Sequence, residues 1–174
     1  MSVASIKGGF ALLVVLLIDQ VSKALVLSHV SPHGVISVVS HLNFVCTMNR
    51  GISFGLLNTG AAWQLVLIWC TVIGLVAYLG YQFWCSSSSM LSVCVGSVLG
   101  GAFGNILDRV IHGAVVDFID VFVTNVHFFG TTIKEWHWPA FNVADSAIVV
   151  GVFVLVILHL RSGGNAAPQR KRKA

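Results

Sequence analysis

Four apolar stretches, each about 20 residues long, constrain this chain more than any other feature of its sequence. A helix of that length rises 1.5 Å per residue and crosses a hydrocarbon core of roughly 30 Å. The stretches predict four transmembrane helices, over residues 8–28, 61–84, 91–110 and 141–160. Charged residues make up 9% of the chain, against about 25% in soluble domains. We therefore expect a polytopic α-helical membrane protein.

The distribution of positive charge predicts the orientation of these helices. Four crossings place both termini on one side of the membrane. Lys7 and the basic run Arg170–Lys173 favour the cytoplasm for that side, and a nucleic-acid partner is not expected. The prediction is a single membrane domain over residues 1–161, a basic cytoplasmic tail over 162–174, and extracytoplasmic loops over 29–60 and 111–140.

The two predicted outer loops carry strand-like sequence. Val35–Val45, Ser53–Leu57 and Val115–Val123 are rich in Val, Ile and Phe, which predicts a small β-sheet at the membrane surface. Thr124–Trp138 contains four aromatic residues and predicts an interfacial helix or a flap. Pro139 suits the first turn of the last membrane helix, where its missing N–H costs nothing.

Asp19 and Lys23 are charged residues inside the first predicted helix. An aspartate at the bilayer centre costs about 2.5–3.5 kcal/mol, so such a residue needs a partner or a function. The two lie four residues apart and therefore share one helix face. We expect a mutually neutralising pair that holds the helix in the bundle; direct contact with a substrate is the alternative.

Asn105, Asp108 and Arg109 share the outer end of the third predicted helix. An arginine can form a bidentate bond with a carboxylate. We expect a network centred on Asp108 and Arg109 that shapes this end of the bundle.

Glycines repeat every four residues just before this group. They are Gly96, Gly100 and Gly104. A face of small residues lets a second helix approach closely, so the repeat predicts a helix-packing surface rather than a cofactor groove.

Asp117 and Asp145 are two carboxylates that the predicted helix ends bring to similar depth. Asp117 lies a few residues beyond the third helix. Asp145 lies roughly 9 Å into the fourth, counted from Pro139, with Asn142 three residues before it on the same face. Two carboxylates in a low-dielectric site cannot both ionise easily. They would share a proton, one acting as base on a bound water and the other as acid.

Spacing alone leaves this pairing open. Each carboxylate could separately cap backbone N–H groups, or pair with one of the predicted outer-side cations, Arg50, Arg109 and Lys134. Asp108 and Asp120 also compete for a place in the pair.

Four motifs resemble the signatures of the bacterial lipoprotein signal peptidase family, signal peptidase II. They run over nearly the whole chain, from Asp19 to Ile148. The matching segments are Asp19-Gln20-x-x-Lys23, Asn49-Arg50-Gly51-Ile52-Ser53-Phe54-Gly55, Gly104-Asn105-x-x-Asp108-Arg109 followed by Gly113-x-Val115-x-Asp117-Phe118, and Phe141-Asn142-x-Ala144-Asp145-x-x-Ile148. Ile52 departs from the pattern, since the family usually has a small residue there.

The resemblance implies an aspartic endopeptidase that cleaves a prolipoprotein before its diacylglyceryl-modified cysteine. Asp117 and Asp145 would be the catalytic pair, and Asp120 would be a bystander. The residues expected to shape the site or bind substrate are Asn49, Gly51, Asn105, Arg109 and Asn142, and those in supporting roles are Asp19, Lys23 and Asp108.

The same resemblance bears on cofactors, partners and location. It implies no metal and no organic cofactor. The expected partners are the lipidated prolipoprotein and membrane lipid, with the protein acting as a monomer. The expected location is the bacterial inner membrane, with the active site near the extracytoplasmic face.

Two other classes of function compete with this interpretation. A small proton-coupled transporter would use Asp19, Asp108 and Asp145 as a relay. That hypothesis predicts acids spread through the membrane thickness, whereas the acids cluster towards one side and no broken-helix repeat is visible. A non-enzymatic assembly subunit would not require its acids to meet at all.

Overall fold

Three long helices and four strands make up the part of the chain that the structure describes. This computed structural model describes residues 2–32, 34–50, 88–128 and 131–163, and the separate positions 74, 77, 78 and 81. The helices are α1 (Val3–His29), α2 (Ser89–His112) and α3 (Val143–Gly163). The strands are β1 (Val35–Val39), β2 (Leu42–Asn49), β3 (Val115–Phe128) and β4 (Thr131–His137).

All three helices are long and apolar enough to cross a membrane. Their most apolar 18-residue windows have mean hydropathies of 2.2, 1.7 and 2.5. The first, third and fourth predicted helices are therefore confirmed, with ends that differ by one to five residues. The second predicted helix, over residues 61–84, lies outside the described ranges, as does the basic tail from residue 164 onwards.

The start of α3 differs from the prediction. The helix begins at Val143, so the expectation that Pro139 occupies its first turn is wrong. Asn142 caps the helix instead, because its Oδ1 accepts the backbone N–H of Asp145 at 2.9 Å. Asp145 consequently lies in the first turn, at the very end of the membrane span rather than two turns inside it.

The glycine repeat packs α2 against α1, as predicted. A Cβ at Gly96 would overlap the backbone of Gly8, and one at Gly100 would lie 2.5 Å from the carbonyl oxygen of Leu12. A Cβ at Gly104 would overlap the carboxylate of Asp19. The absence of side chains on this face therefore brings the helix backbones together. It also leaves room for a buried aspartate.

The four strands form one antiparallel sheet in the order β1-β2-β3-β4. The first half of β3 pairs with β2, and its second half pairs with β4 as a hairpin. The predicted sheet is thus present. Of the interfacial helix or flap expected over Thr124–Trp138, the helix is wrong, because the described residues of this segment belong to the two arms of the hairpin. The strand-like segment Ser53–Leu57 lies outside the described residues.

Substitution of Gly100 tests the close contact between α1 and α2. Gly100→Ala should lower the free energy of unfolding by about 1–3 kcal/mol, since the new methyl group meets a backbone oxygen that cannot move aside. Thermal unfolding in detergent measures the change. Gly9→Ala is the matched control, because nothing lies within 4 Å of a Cβ there. It should gain about 0.5–1 kcal/mol from helix propensity. Equal effects of the two substitutions would contradict the packing role.

Candidate active site

Asp117 lies in β3 and is 2% exposed. Two asparagine side chains donate hydrogen bonds to its carboxylate. Nδ2 of Asn142 donates to Oδ1 at 2.8 Å, and Nδ2 of Asn49 donates to Oδ2 at 2.9 Å. The strand register explains the second contact. Asn49 of β2 pairs with Val115 of β3, so its side chain lies diagonally across from Asp117 on the same face of the sheet.

Asp145 reaches the same place from the first turn of α3. Its Oδ2 accepts the backbone N–H of Asn142 at 3.4 Å, while Asn142 Oδ1 accepts the backbone N–H of Asp145. This reciprocal arrangement is a capping box. The other oxygen of the Asp145 carboxylate, Oδ1, accepts a hydrogen bond from Nδ2 of Asn105, in α2, at 2.8 Å. The helix cap therefore fixes one oxygen of the carboxylate and a neighbouring helix fixes the other.

Asn142 connects the two carboxylates. Its side chain bonds to Asp117, its backbone N–H bonds to Asp145, and its Nδ2 also lies 3.2 Å from Oδ1 of Asn105. Asn142 is fully buried. The tertiary structure thus brings together the predicted pair and three of the predicted site-shaping residues, Asn49, Asn105 and Asn142.

Lys23, Asp19 and Asp108 form a buried ion cluster beside this pair. Nζ of Lys23 lies 2.8 Å from Oδ2 of Asp19 and 2.8 Å from Oδ2 of Asp108. All three residues are 2% exposed or less. The predicted Asp19–Lys23 pair is therefore present, and its burial leaves neither residue a surface for direct contact with substrate.

The ion cluster also bonds to the backbone near both acids. Asp19 Oδ1 accepts the N–H of Ala144 at 2.9 Å, next to Asp145 in α3. Asp108 Oδ2 accepts the N–H of Val116 at 3.0 Å, next to Asp117 in β3. The supporting acids therefore fix the main chain beside each member of the pair.

The network expected around Asp108 and Arg109 is present in part, with Lys23 rather than Arg109 as the partner of Asp108. Asp108 pairs with Lys23, whereas the Arg109 guanidinium donates a hydrogen bond to the carbonyl oxygen of Asn105, at 3.1 Å. Adjacent helical residues project in directions about 100° apart, so they rarely share a partner. Arg109 is half-buried and its positive charge still acts on Asp117, Asp145 and Asp108.

Asp120 lies outside the pair, although it is also buried in β3. It accepts Nδ2 of Asn43 at 3.0 Å and contacts Nδ1 of His137 at 2.8 Å. An odd spacing of three places Asp120 and Asp117 on opposite faces of an extended strand. The bystander role that the resemblance implied is consistent with this geometry. Asp120 raises the pKa of His137, a contact that no pattern in the sequence indicated.

Three further predicted positions are Arg50, Gly51 and Lys134. Gly51 lies outside the described residues, and Arg50 is exposed. Lys134 lies on β4 and is also exposed. Within the described ranges, no group of three or more His, Cys, Asp or Glu residues is arranged to hold a metal ion.

Burial raises the pKa of Asp117 to about 6, from the usual value of 3.8. The hydrogen bond from Asn49 opposes the shift, and the like charge of Asp145 adds to it. A carboxylate with a pKa near 6 can hold or release a proton close to neutral pH. Such a group, with a second carboxylate bonded to the same asparagine, is suited to general acid–base catalysis.

A family comparison identifies the class of protein. Residues 11–161 match the family model described as signal peptidase (SPase) II. This match covers most of the chain.

The chain belongs to the signal peptidase II family.

Relatives of the same family are similar over almost the whole chain. The lipoprotein signal peptidase of Polynucleobacter necessarius is 39% identical over 161 residues, covering 90% of this chain and 91% of the relative. That of Anaplasma phagocytophilum is 38% identical over 157 residues, covering 90% and 94%. Signal peptidase II enzymes are proteases, so the alternatives of a transporter and of an assembly subunit have no support.

Solved structures share the fold. A bacterial membrane enzyme determined at 2.3 Å by the in meso method superposes with a TM-score of 0.75. It is 27% identical, and the match covers 93% of this chain and 92% of that one. A second such structure, at 1.9 Å, has a TM-score of 0.69 and 28% identity, over 88% and 92% of the chains.

The raised pKa of Asp117 predicts a pH-dependent cost to stability. Because the folded state holds this proton more tightly than the unfolded state, the protein loses stability as the pH rises from about 4 to about 7. Asp117→Asn lacks the titration. Relative to the wild type, it should therefore gain up to about 3 kcal/mol over this interval, the equivalent of a shift of about two units. Melting temperatures of both proteins in detergent between pH 4 and pH 8 measure the gain, and a difference independent of pH would contradict it.

Proposed function

We propose that this chain is a membrane aspartic endopeptidase that removes signal peptides from lipid-modified prolipoproteins, cleaving before the diacylglyceryl-cysteine. One observation carries the aspartic assignment. Asp117 and Asp145, from different elements, are both buried or half-buried and are bonded to the same residue, Asn142. Membership of the signal peptidase II family supplies the reaction class.

The acid pair acts on a water held between its two members. One carboxylate accepts a proton from the water, whose oxygen attacks the scissile carbonyl carbon. The other, protonated, donates to the carbonyl oxygen, and a tetrahedral diol forms. The C–N bond then breaks as the first carboxylic acid returns its proton to the leaving nitrogen and the second takes one back from the diol. The pair ends with one proton, as it began.

Burial extends the pH range over which the pair holds this shared proton. Because Asp117 has a pKa of about 6 and lies beside a second carboxylate, the pair retains a proton at a pH well above the usual range of a carboxyl group. The singly protonated form is the one that supplies both a base and an acid. The apparent pKa values of the reaction belong to the pair rather than to either residue.

The position of the site fits a substrate anchored in lipid. Asp145 lies in the first turn of α3, at the end of a membrane span, and Asp117 lies in the adjoining sheet. The acids are therefore at the level where an acylated cysteine would leave the bilayer. Exposed Trp136 and Trp138 flank the start of α3, and tryptophan favours this interfacial depth.

The remaining parts of the proposal concern topology. Both termini lie in the cytoplasm, and the site lies near the extracytoplasmic face of the inner membrane. The basic residues near both chain ends support this orientation. A monomer is the proposed state, since the acid pair and the ion cluster are assembled from residues of one chain and need no second copy.

Substitution of either acid tests the catalytic assignment. Asp117→Asn and Asp145→Asn should each lower cleavage of a lipidated prolipoprotein by about 1,000-fold or more, since an amide can neither accept nor donate the transferred proton. Gel-shift analysis of the product in detergent or proteoliposomes measures the loss.

Asp120→Asn is the matched control. It changes a buried aspartate of the same strand that also accepts a hydrogen bond from an asparagine, yet it should cleave at a rate within about threefold of the wild type. Near-normal cleavage by either Asp117→Asn or Asp145→Asn would refute the pair.

A comparison of substrates tests the lipid requirement. A prolipoprotein that carries the diacylglyceryl group should be cleaved, whereas the same protein without the lipid should react at least about 100-fold more slowly, since the anchor supplies the binding energy that positions the peptide. The assay uses one precursor before and after lipidation. Equal rates would show that the enzyme recognises the peptide and not the lipid.

A further inference from the structure

The ammonium group of Lys23 uses its entire hydrogen-bonding capacity inside the protein. Its three N–H donors have three acceptors: Oδ2 of Asp19 at 2.8 Å, Oδ2 of Asp108 at 2.8 Å and Oδ1 of Asn105 at 3.0 Å. A salt bridge to one aspartate would have been enough to neutralise the charge. The third contact, to a neutral amide, has a different consequence.

That contact determines which way the Asn105 amide points. A lysine ammonium can only donate, so the atom facing it must be the amide oxygen. The amide nitrogen is then turned towards Asp145, where Nδ2 donates to Oδ1 at 2.8 Å. The same Oδ1 of Asn105 also accepts from Nδ2 of Asn142 at 3.2 Å. Its two lone pairs are thus both occupied.

The second amide is oriented in the same way by a different fixed group. Oδ1 of Asn142 accepts the backbone N–H of Asp145, so its Nδ2 is directed at Asp117, at 2.8 Å. Both acids therefore accept hydrogen bonds from asparagine side chains whose orientation is set by contacts to other groups. For the donor to Asp145, the orientation is set by Lys23, at 3.0 Å from Oδ1 of Asn105, together with the longer contact from Nδ2 of Asn142, at 3.2 Å.

We propose that Lys23 is a positioning residue for the hydrolysis. It holds the side-chain amide of Asn105 in the orientation in which the amide N–H points at Asp145. This inference rests on the proposed function. Lys23 does not touch the substrate or the reacting water. It acts through the side chain of Asn105. This role differs from that of a lysine that only joins α1 to α2 by its charge.

Loss of the ammonium would leave the oxygen of the Asn105 amide held only by the longer contact from Nδ2 of Asn142, at 3.2 Å. Asn105 could then rotate by half a turn and present its oxygen to Asp145. An amide oxygen can stand next to that carboxyl only if the carboxyl is protonated, so the rotated form withdraws Asp145 from its role as a base. A fraction of the enzyme would be folded, would bind substrate and would be unable to react.

Lys23→Met tests the inference, because methionine has a similar length and no donor. In purified, folded protein, kcat for a lipidated prolipoprotein should fall about 10- to 100-fold, the loss expected for one hydrogen bond to a charged group. KM should stay within about twofold, since no substrate contact changes. Either role of Lys23 would lower the melting temperature, but a purely structural lysine would leave kcat of the folded protein unchanged.

A double-mutant cycle tests the path through Asn105. If Lys23 acts through this amide, then Lys23→Met should have little further effect on kcat in an Asn105→Leu background. If the two effects multiply, Lys23 acts by another route and the proposal is overturned. A kcat for Lys23→Met within about threefold of the wild type would overturn it as well.

A second variant covers the case in which Lys23→Met does not fold. Lys23→Met combined with Asp108→Asn keeps the summed formal charge of the ion cluster at −1, as in the wild type with two acids and one lysine. Its kcat is compared with that of Asp108→Asn alone, in which Lys23 still holds Asn105. The same fall of about 10- to 100-fold is expected, and equal values would refute the proposal.

Asp117→Asn, measured in the same assay, separates the two proposals. If it abolishes cleavage while Lys23→Met does not affect kcat, only the positioning role fails. If Asp117→Asn itself retains cleavage, the acid pair fails and the role of Lys23 fails with it.

Discussion

The buried ion cluster of Lys23, Asp19 and Asp108 is the interaction on which the rest of the described structure depends. It joins α1 to α2 directly, and it reaches α3 and β3 through the backbone N–H groups of Ala144 and Val116. Removing one partner of such a cluster leaves an unpaired charge at a cost of about 3–5 kcal/mol. One ion cluster therefore links all the described elements that contribute to the site, apart from β2.

The site itself is maintained against an energetic penalty. Burial disfavours the ionised form of Asp117 and thereby raises its pKa, although catalysis needs that carboxyl to change protonation near neutral pH. Amide donors limit the penalty, since Asn49 and Asn142 stabilise the ionised form. Replacing Asp117 should consequently stabilise the protein while inactivating it, a conflict between stability and activity that is common at catalytic sites.

Length and hydropathy were sufficient to predict the described helices, because a membrane span requires about 20 apolar residues and their backbone groups must bond within the helix. The glycine repeat likewise predicted the face on which α1 packs. The start of α3 was misjudged, since Pro139 suits a first turn but Asn142 supplies the actual cap. The segment Thr124–Trp138 forms hairpin arms because cross-strand pairing, a non-local interaction, decides its structure.

The sequence by itself determined that this is a membrane protein, where most of its spans lie, and which motifs carry its acids. Only the tertiary structure decided how those acids are partnered. Asp108 bonds to Lys23, 85 positions away, rather than to its neighbour Arg109, because adjacent residues of a helix project in different directions. Asp117 and Asp145 meet around Asn142, whereas Asp120 turns to the opposite face of the same strand. Such choices depend on the directions of side chains from packed elements, which residue spacing along the chain does not specify.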